Sequence, residues 1–264
     1  MEKIKYILQG ILGRPNYIKL EQLKKKILPT KNDRKHAAIA KRQIDFYKNL
    51  VMPNDLCFDI GANIGSKTKV FLQLQARVVA VEPQRNCTEI LAALYGNKAT
   101  VLQKGAGAKN EVKEFFVANH SELSSFNEDW ISELKKTRFA SANVQSVEKV
   151  EIVTLDSLIQ TYGRPAFIKI DVEGYELEVL KGLHEPFGCL SFEYTVPEKK
   201  ATLVEALEYL RQHYPNSTCN YVIGREDHFA LKTWVSIDDL LQLVQKQEFD
   251  ETSAGDVYVR SSKN

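Results

Sequence analysis

Apolar positions in this chain fall into two regimes. Through about residue 50 they recur at helical spacing: Ile4, Ile7, Leu8 and Ile11 mark one amphipathic stretch, and Leu20, Leu23, Ile27 and Leu28 mark another, with Pro15 and Pro29 as breaks. From Asp55 onward short apolar runs alternate with amphipathic segments, the pattern of a mostly parallel sheet covered by helices. The runs predict strands at Asp55–Ile60, Arg77–Glu82, Ala99–Lys104, Ala166–Val172, Cys189–Tyr194, Thr218–Ile223 and Asp256–Arg260. Helices are predicted over Ser66–Gln75, Gln84–Tyr95, Tyr175–Leu183, Lys199–His213 and Ile237–Lys246. The expected fold is α/β: a doubly wound, seven-stranded, mostly parallel sheet with a helical N-terminal extension. Two segments break the alternation. Val112–Ala118 and Val150–Leu155 read as extra strands flanking a polar stretch from His120 to Val147 that contains Trp130. Insertions of this kind run over the surface near strand ends, so a lid or substrate wall is expected there.

At 264 residues the chain suits one large domain with a small extension, divided here as 50–264 and 1–49. Hydrophobic residues at 44% and charged residues at 27% exclude a disordered chain. The longest apolar stretch, Ile4 to Leu12, is interrupted by Lys5, Gln9 and Gly10 and falls short of the roughly 20 residues of a membrane span. No secretory cleavage site follows it, so a cytoplasmic location is expected. Cys57, Cys87, Cys189 and Cys219 lie far apart without a CxxC pair, and are expected to be small buried residues rather than zinc ligands or nucleophiles.

Charge changes the picture. Through Arg42 there are twelve Lys or Arg against Glu2, Glu21 and Asp33, a net +9, which leaves −7 on the remainder of a chain whose overall charge is +2. The acidic remainder argues against a broad nucleic-acid face, so no nucleic-acid partner is expected. The basic leader has two readings: its apolar face packs on the main domain, or it contacts an anionic membrane surface. Packing is the favoured expectation, because the segment is short, broken by two prolines, and has only Tyr6 and Tyr17 as aromatic anchors.

Three motifs carry candidate chemistry. The run Leu56-Cys-Phe-Asp-Ile-Gly-Ala-Asn-Ile-Gly65 is a buried strand ending in an acidic residue and then a tight turn with glycines four apart. Gly61 allows a sharp turn and close approach of a ligand, and Gly65 lets the next helix start close to the sheet. A dinucleotide loop would need glycine where Asn63 and Ser66 stand. A phosphate loop is nearly matched by Gly61 through Ser66-Lys67-Thr68, but one glycine is missing and Asp59 would face the phosphate. A cationic ligand such as S-adenosylmethionine suits Asp59 better. The second strand ends in Glu82-Pro83, where a carboxylate can accept hydrogen bonds from both ribose hydroxyls of an adenosyl group. The third motif is Phe167 to Glu176, in which Lys169, Asp171 and Glu173 alternate onto one side and Asp171 sits at the strand's carboxyl end. A carboxylate there is costly unless paired or used, and a pair with Lys169 competes with a functional role.

The runs Asp59-Ile-Gly-Ala-Asn-Ile-Gly65, Val81-Glu-Pro83 and Ile170-Asp-Val-Glu-Gly-Tyr-Glu176, continuing to Leu180-Lys-Gly182, resemble the FkbM family of class I methyltransferases, with which Thr154-Leu-Asp-Ser-Leu158 and Phe192-Glu-Tyr194 also agree. The resemblance spans about Leu50 to Arg260. It implies a Rossmann-like class I fold and methyl transfer from S-adenosylmethionine to an oxygen, commonly a hydroxyl of a sugar, glycan or natural product. It implies cofactor contacts at Asp59, Gly61, Ala62, Asn63 and Gly65 around the methionine end, at Glu82 and Pro83 for the ribose, at Gly105 and Ala106 for the adenine, and at Asp171. No Asp or Glu follows Lys104 directly to receive the adenine amino group. Asp171 is the first candidate general base and Glu173 the second. A rival arrangement has Asp171 and Glu193 hold a divalent ion, but no metal is assigned. The five histidines cluster neither with each other nor with the motifs. Other readings are a phosphotransferase using Lys67 and Thr68, and a non-catalytic cofactor-binding module. Oligomeric state is left open.

Overall fold

The computed structural model describes residues 13–28, 30–118, 126, 144–224 and 227–261. Among the described residues two helices come first, α1 (Arg14–Ile27) and α2 (Lys31–Tyr47). The main sheet follows with β1 (Leu56–Ile60), α3 (Ser66–Gln73), β2 (Arg77–Val81), α4 (Arg85–Tyr95) and β3 (Ala99–Leu102). An interposed unit comprises β4 (Gly105–Ala106), β5 (Glu111–Ala118) and β6 (Val144–Val153). The chain then returns through α5 (Leu155–Tyr162), β7 (Phe167–Ile170), α6 (Glu176–Leu180), β8 (Cys189–Thr195), α7 (Lys200–His213), β9 (Thr218–Ile223), β10 (Val235–Ser236), α8 (Ile237–Val244), α9 (Gln247–Asp250) and β11 (Ala254–Arg260).

The main sheet has the order β10-β9-β11-β8-β7-β1-β2-β3. β1 is parallel to both β2 and β7, and all five of its residues are buried, which explains its unbroken apolar run. Strand order runs outward from β1 in both directions, so the switch point lies between β1 and β7, where such folds open a crevice at the strand ends. All seven predicted strands are in this sheet. The eighth, β10, is a two-residue antiparallel pairing with β9, too short to leave a periodic signal. β11 is antiparallel to both β8 and β9.

The two extra strands are present and pair with each other. β5 and β6 are antiparallel, and β4 joins β6 in a separate three-stranded sheet. β6 begins at Val144, earlier than expected, because its first residues are mostly exposed and carry no apolar run. The expected lid falls largely outside the described residues, Trp130 with it; Phe126 is buried. Helix α5 was not expected. Its hallmarks are local: the Thr154 hydroxyl accepts from Ser157 N–H at 3.0 Å as an N-cap, and Gly163 with φ 101° ends it.

The N-terminal helices differ in how they pack. α2 is built into the core: Phe46 and Tyr47 pack with Val51, Phe71, Phe167 and Tyr258, and the Tyr47 and Tyr258 hydroxyls lie 3.2 Å apart. α1 lies against α4 and buries Tyr17. Leu20, Leu23, Ile27 and Leu28 are exposed, contrary to the expectation that they pack on the main domain. Ile4, Ile7, Leu8 and Ile11 lie outside the described residues. No helix among the described residues is long and apolar enough to cross a membrane. All four cysteines are free and buried, and burial pushes Cys189 and Cys219 up to about 12, far from a reactive thiolate.

Candidate active site

β1 ends at Ile60, and the chain turns through Gly61 at φ 77° and Asn63 at φ 48°. A Cβ on Gly61 would sit 1.8 Å from the Asp171 carbonyl oxygen, so only glycine fits. The Gly61 and Ala62 amides donate to Val81 O, tying the turn to β2. Asn63 N–H donates to Glu82 Oε2 and Gln84 N–H to Glu82 Oε1, both at 2.8 Å, so two turns share one carboxylate. Burial pushes Glu82 up to about 7, against the pull of those amides. Each of its oxygens retains a lone pair for a further donor.

Asp59, 2% exposed, receives the Thr68 hydroxyl at 2.5 Å, and burial raises its carboxyl despite that bond. Of the residues of the phosphate-loop reading, Thr68 is fully buried, whereas Lys67, with its Nζ over the Tyr47 ring, lines the cavity. Gly65 faces Leu91 and Tyr95 of α4. A Cβ there would meet Leu91 and Tyr95 at 2.7 and 2.6 Å, so it is a packing glycine under α4 and does not line the crevice.

On the opposite side, β7 runs straight into Asp171, whose amide donates to Ile60 O. The chain then folds back through Glu173 at φ 52° and Gly174 at φ 87°. Glu176 closes this loop: its Oε1 accepts from Val172 N–H and Gly174 N–H at 3.2 and 3.1 Å. Lys169, 1% exposed on the central β7, pairs with Asp256 at 2.9 Å and Asp171 at 3.5 Å. Burial works to lower Lys169, but Asp171 and Asp256 outweigh it and hold the ammonium well above its ordinary range. Glu193 sits at the end of β8 with Asp256 opposite it on β11. Oxygens of Asp171, Glu173 and Glu193 lie within 4.8 Å of one another. Burial first, then the Asp171 charge, push Glu193 up to about 8.

These walls enclose a cavity of about 800 Å³ over the strand ends, within the range of small-molecule sites. Asp59, Gly61, Ala62, Asn63, Glu82 and Pro83 line it from β1, β2 and the turns after them, Gly105 and Ala106 from β4, and Asp171 and Glu173 from the end of β7. Of the expected positions only Gly65 is absent. Phe115 and Phe126, rings 4.6 Å apart, line the same cavity as Gly105 and Ala106. Ile39, Arg42 and Gln43 of α2, and Asp256 and Tyr258 of β11, were not expected; they come from segments with no motif of their own. Glu193 also lines it. No histidine among the described residues does.

Residues 59–250 match the family described as the methyltransferase FkbM domain. The chain belongs to the FkbM methyltransferase family. No curated protein matches its sequence. Solved structures similar to this FkbM methyltransferase include the plantazolicin methyltransferase BpumL in complex with a pentazolic desmethylPZN analog and SAH, at 9% identity and TM-score 0.45 over 98% of this chain and 96% of that one. Another is precorrin-6y C5,15-methyltransferase from Geobacter metallireducens GS-15, at 13% identity and TM-score 0.41 over 83% and 88%. A third is an rRNA methylase from Streptococcus thermophilus, at 10% identity and TM-score 0.40 over 83% and 93%.

Proposed function

We propose that this FkbM methyltransferase uses S-adenosylmethionine to methylate a hydroxyl group of a sugar, glycan or natural product. The observation that carries the reading is a single cavity with carboxylates on two facing walls. Glu82 is held by backbone amides on one wall, and Asp171 faces it from the end of β7. The residues fit the cofactor. Glu82 keeps free lone pairs for ribose hydroxyls, and Asp59 and the Gly61 turn offer negative charge and close backbone approach to a cationic methionine end. When bound, the cofactor supplies the methyl group as an electrophile.

The chain's own residues then position the acceptor and remove its proton. Asp171 accepts the hydroxyl proton as the attack proceeds, a role that contributes about 10²–10⁴-fold. Glu193, whose carboxyl is pushed to about 8, stays largely protonated at neutral pH and offers a donor as well as an acceptor to the acceptor's hydroxyls. Glu173 is the second candidate base. A crevice with several carboxylates also suits polyhydroxylated acceptors, whose hydroxyls donate to them in pairs.

Calorimetry with S-adenosylmethionine, S-adenosylhomocysteine and ATP tests the cofactor. Binding of the first two is expected; ATP binding lost in Lys67→Ala, with neither methyl-donor species bound, overturns the reading. A screen of hydroxylated acceptors tests the chemistry, and cofactor binding with no product across it points to the non-catalytic module. Activity that falls with EDTA and returns with magnesium replaces direct proton removal by a metal-assisted route through Asp171 and Glu193.

A further inference from the structure

Helix α1 carries an apolar stripe that the fold leaves uncovered. Leu20, Leu23 and Ile27 follow i, i+3, i+7 spacing, which places them on one face, and Leu28 follows as the residue that caps the helix end. The stripe starts at the surface of the domain with Tyr17, 9% exposed against α4, and then emerges: exposure rises through 45%, 54%, 66% and 73% at the four aliphatic residues. A gradient of this kind means that the helix leaves the domain surface toward its C-terminal end. Large aliphatic side chains left together in water are unfavourable, and grouped ones usually mark a contact surface.

Charge says what the contact is. Residues through Arg42 carry +9 while the rest of the chain carries −7, so the apolar stripe lies within the basic segment. A basic helix with one exposed apolar face suits the interface of an anionic bilayer, where the apolar face enters the acyl boundary and the lysines meet headgroup phosphates. A second copy of the same helix, with Arg14, Lys19, Lys24, Lys25 and Lys26 against Glu21, would bring +4 against +4, and a nucleic acid would leave the aliphatic stripe in water.

Position strengthens the argument. Phe46 and Tyr47, at the end of α2, pack with Cys57, Val78 and Phe167 near the beginnings of β1, β2 and β7, whereas Arg42, earlier in the helix, pairs with Asp227 beyond the end of β9 at 3.0 Å; all three α2 residues also line the cavity. α2 therefore runs against the strand direction, with its first turn on the strand-end side of the domain, where the cavity lies. Lys31 lies about 12 Å beyond Ile39 along that helix, at 1.5 Å per residue. Leu28 and Ile27 lie three and four residues before it in the chain, so the exposed stripe ends on the strand-end side of the molecule, where the cavity lies.

We propose that α1 docks this protein on an anionic lipid surface with the cavity side of the domain toward the bilayer. The test is sedimentation of the full chain with vesicles of phosphatidylglycerol and phosphatidylcholine, and with phosphatidylcholine alone, at low and high salt. Co-sedimentation with the anionic vesicles is expected at low salt, falling steeply near 1 M salt, where the screening length is about 3 Å. Leu23→Asp with Ile27→Asp should reduce it at least tenfold with the thermal transition unchanged, since both side chains are exposed. If that pair disturbs folding, Leu20→Ser with Leu28→Ser serves instead. Leu23→Trp should show a blue-shifted emission on anionic vesicles only. Equal sedimentation of wild type and variants, or none by the wild type, overturns the proposal. So does light scattering that shows a dimer abolished by the Asp variant, or duplex RNA bound more tightly than vesicles.

Discussion

On the β1–β2 wall of the cavity Glu82 is held by two backbone amides and Asp59 by the hydroxyl of nearby Thr68, whereas on the β7–β8 wall three carboxylates cluster, with Asp171 against the buried ammonium of Lys169. The first arrangement is local. Asn63 and Gln84 lie in the turns that follow β1 and β2, so forming those two adjacent parallel strands also forms the partners of Glu82. The second arrangement is global. Lys169 reaches its shortest partner, Asp256, across 87 residues of chain, and only the insertion of β11 beside β8 brings the two together. Backbone amides cannot be removed by a side-chain substitution, so the partners of Glu82 on the β1–β2 wall should persist under mutation, whereas the β7–β8 wall depends on single side-chain charges and should not.

The sharpest test of that difference is Asp171→Asn, expected to lower turnover by about 10²–10⁴-fold while the thermal transition stays near wild type, because Asp171 is 38% exposed and its loss leaves Lys169 paired with Asp256. Unfolding of the variant, or unchanged turnover, would assign Asp171 to structure instead. Lys169→Met should act the other way, on stability first. Removing the ammonium leaves Asp256 and Asp171 unneutralised, a loss of about 3–5 kcal/mol for a buried pair and toward the lower end here because Asp256 is 18% exposed. Urea denaturation measures it, and adding Asp256→Asn should restore part of the loss.

On the other wall, Glu82→Gln removes a charged acceptor but leaves an oxygen for one amide. Cofactor affinity measured by calorimetry should fall about tenfold to a hundredfold, the range of a hydrogen bond to a charged group. Wild-type affinity should also decline as pH drops below about 7, where Glu82 protonates, and the Gln variant should lack that step. A smaller effect distinguishes the walls through folding. Burial raises Glu82 and Glu193, so the stability their protonated forms contribute is present below the ordinary glutamate pKa and is lost as pH rises through about 7 and about 8. The thermal transition should therefore decline between pH 5 and about 9, and Glu193→Gln should flatten the upper part of that decline. Tyr47→Phe, which removes the hydroxyl facing Tyr258 across the α2–β11 contact, should cost only about 1 kcal/mol. A much larger loss would mean that α2 is held to the domain chiefly by that bond and not by its rings.

How the fold was legible follows from the same contrast. The buried run of β1, the glycine turn and the acidic ends of β1, β2 and β7 are read from neighbouring residues, because strand burial and left-handed turns leave local marks in composition and spacing. Gly65 shows the limit of that reading: its glycine was legible, but whether the missing Cβ makes room for a ligand or for Leu91 and Tyr95 is set by where α4 lands. Helix α5 was within reach through Thr154 and Gly163, whereas β10 was not, since two residues have no period.

By itself the sequence determined the seven strands and the acidic residues at the ends of β1, β2 and β7, because each rests on short-range periodicity or turn chemistry. Tertiary structure alone decided the rest. It chose Asp256 as the main partner of Lys169, drew Ile39 and Arg42 of α2 into the cavity wall, and left Leu20 through Leu28 in solvent. Those outcomes depend on which distant surfaces meet. An amphipathic period states only that a helix has an apolar face, and the packing of the whole chain determines whether anything covers it.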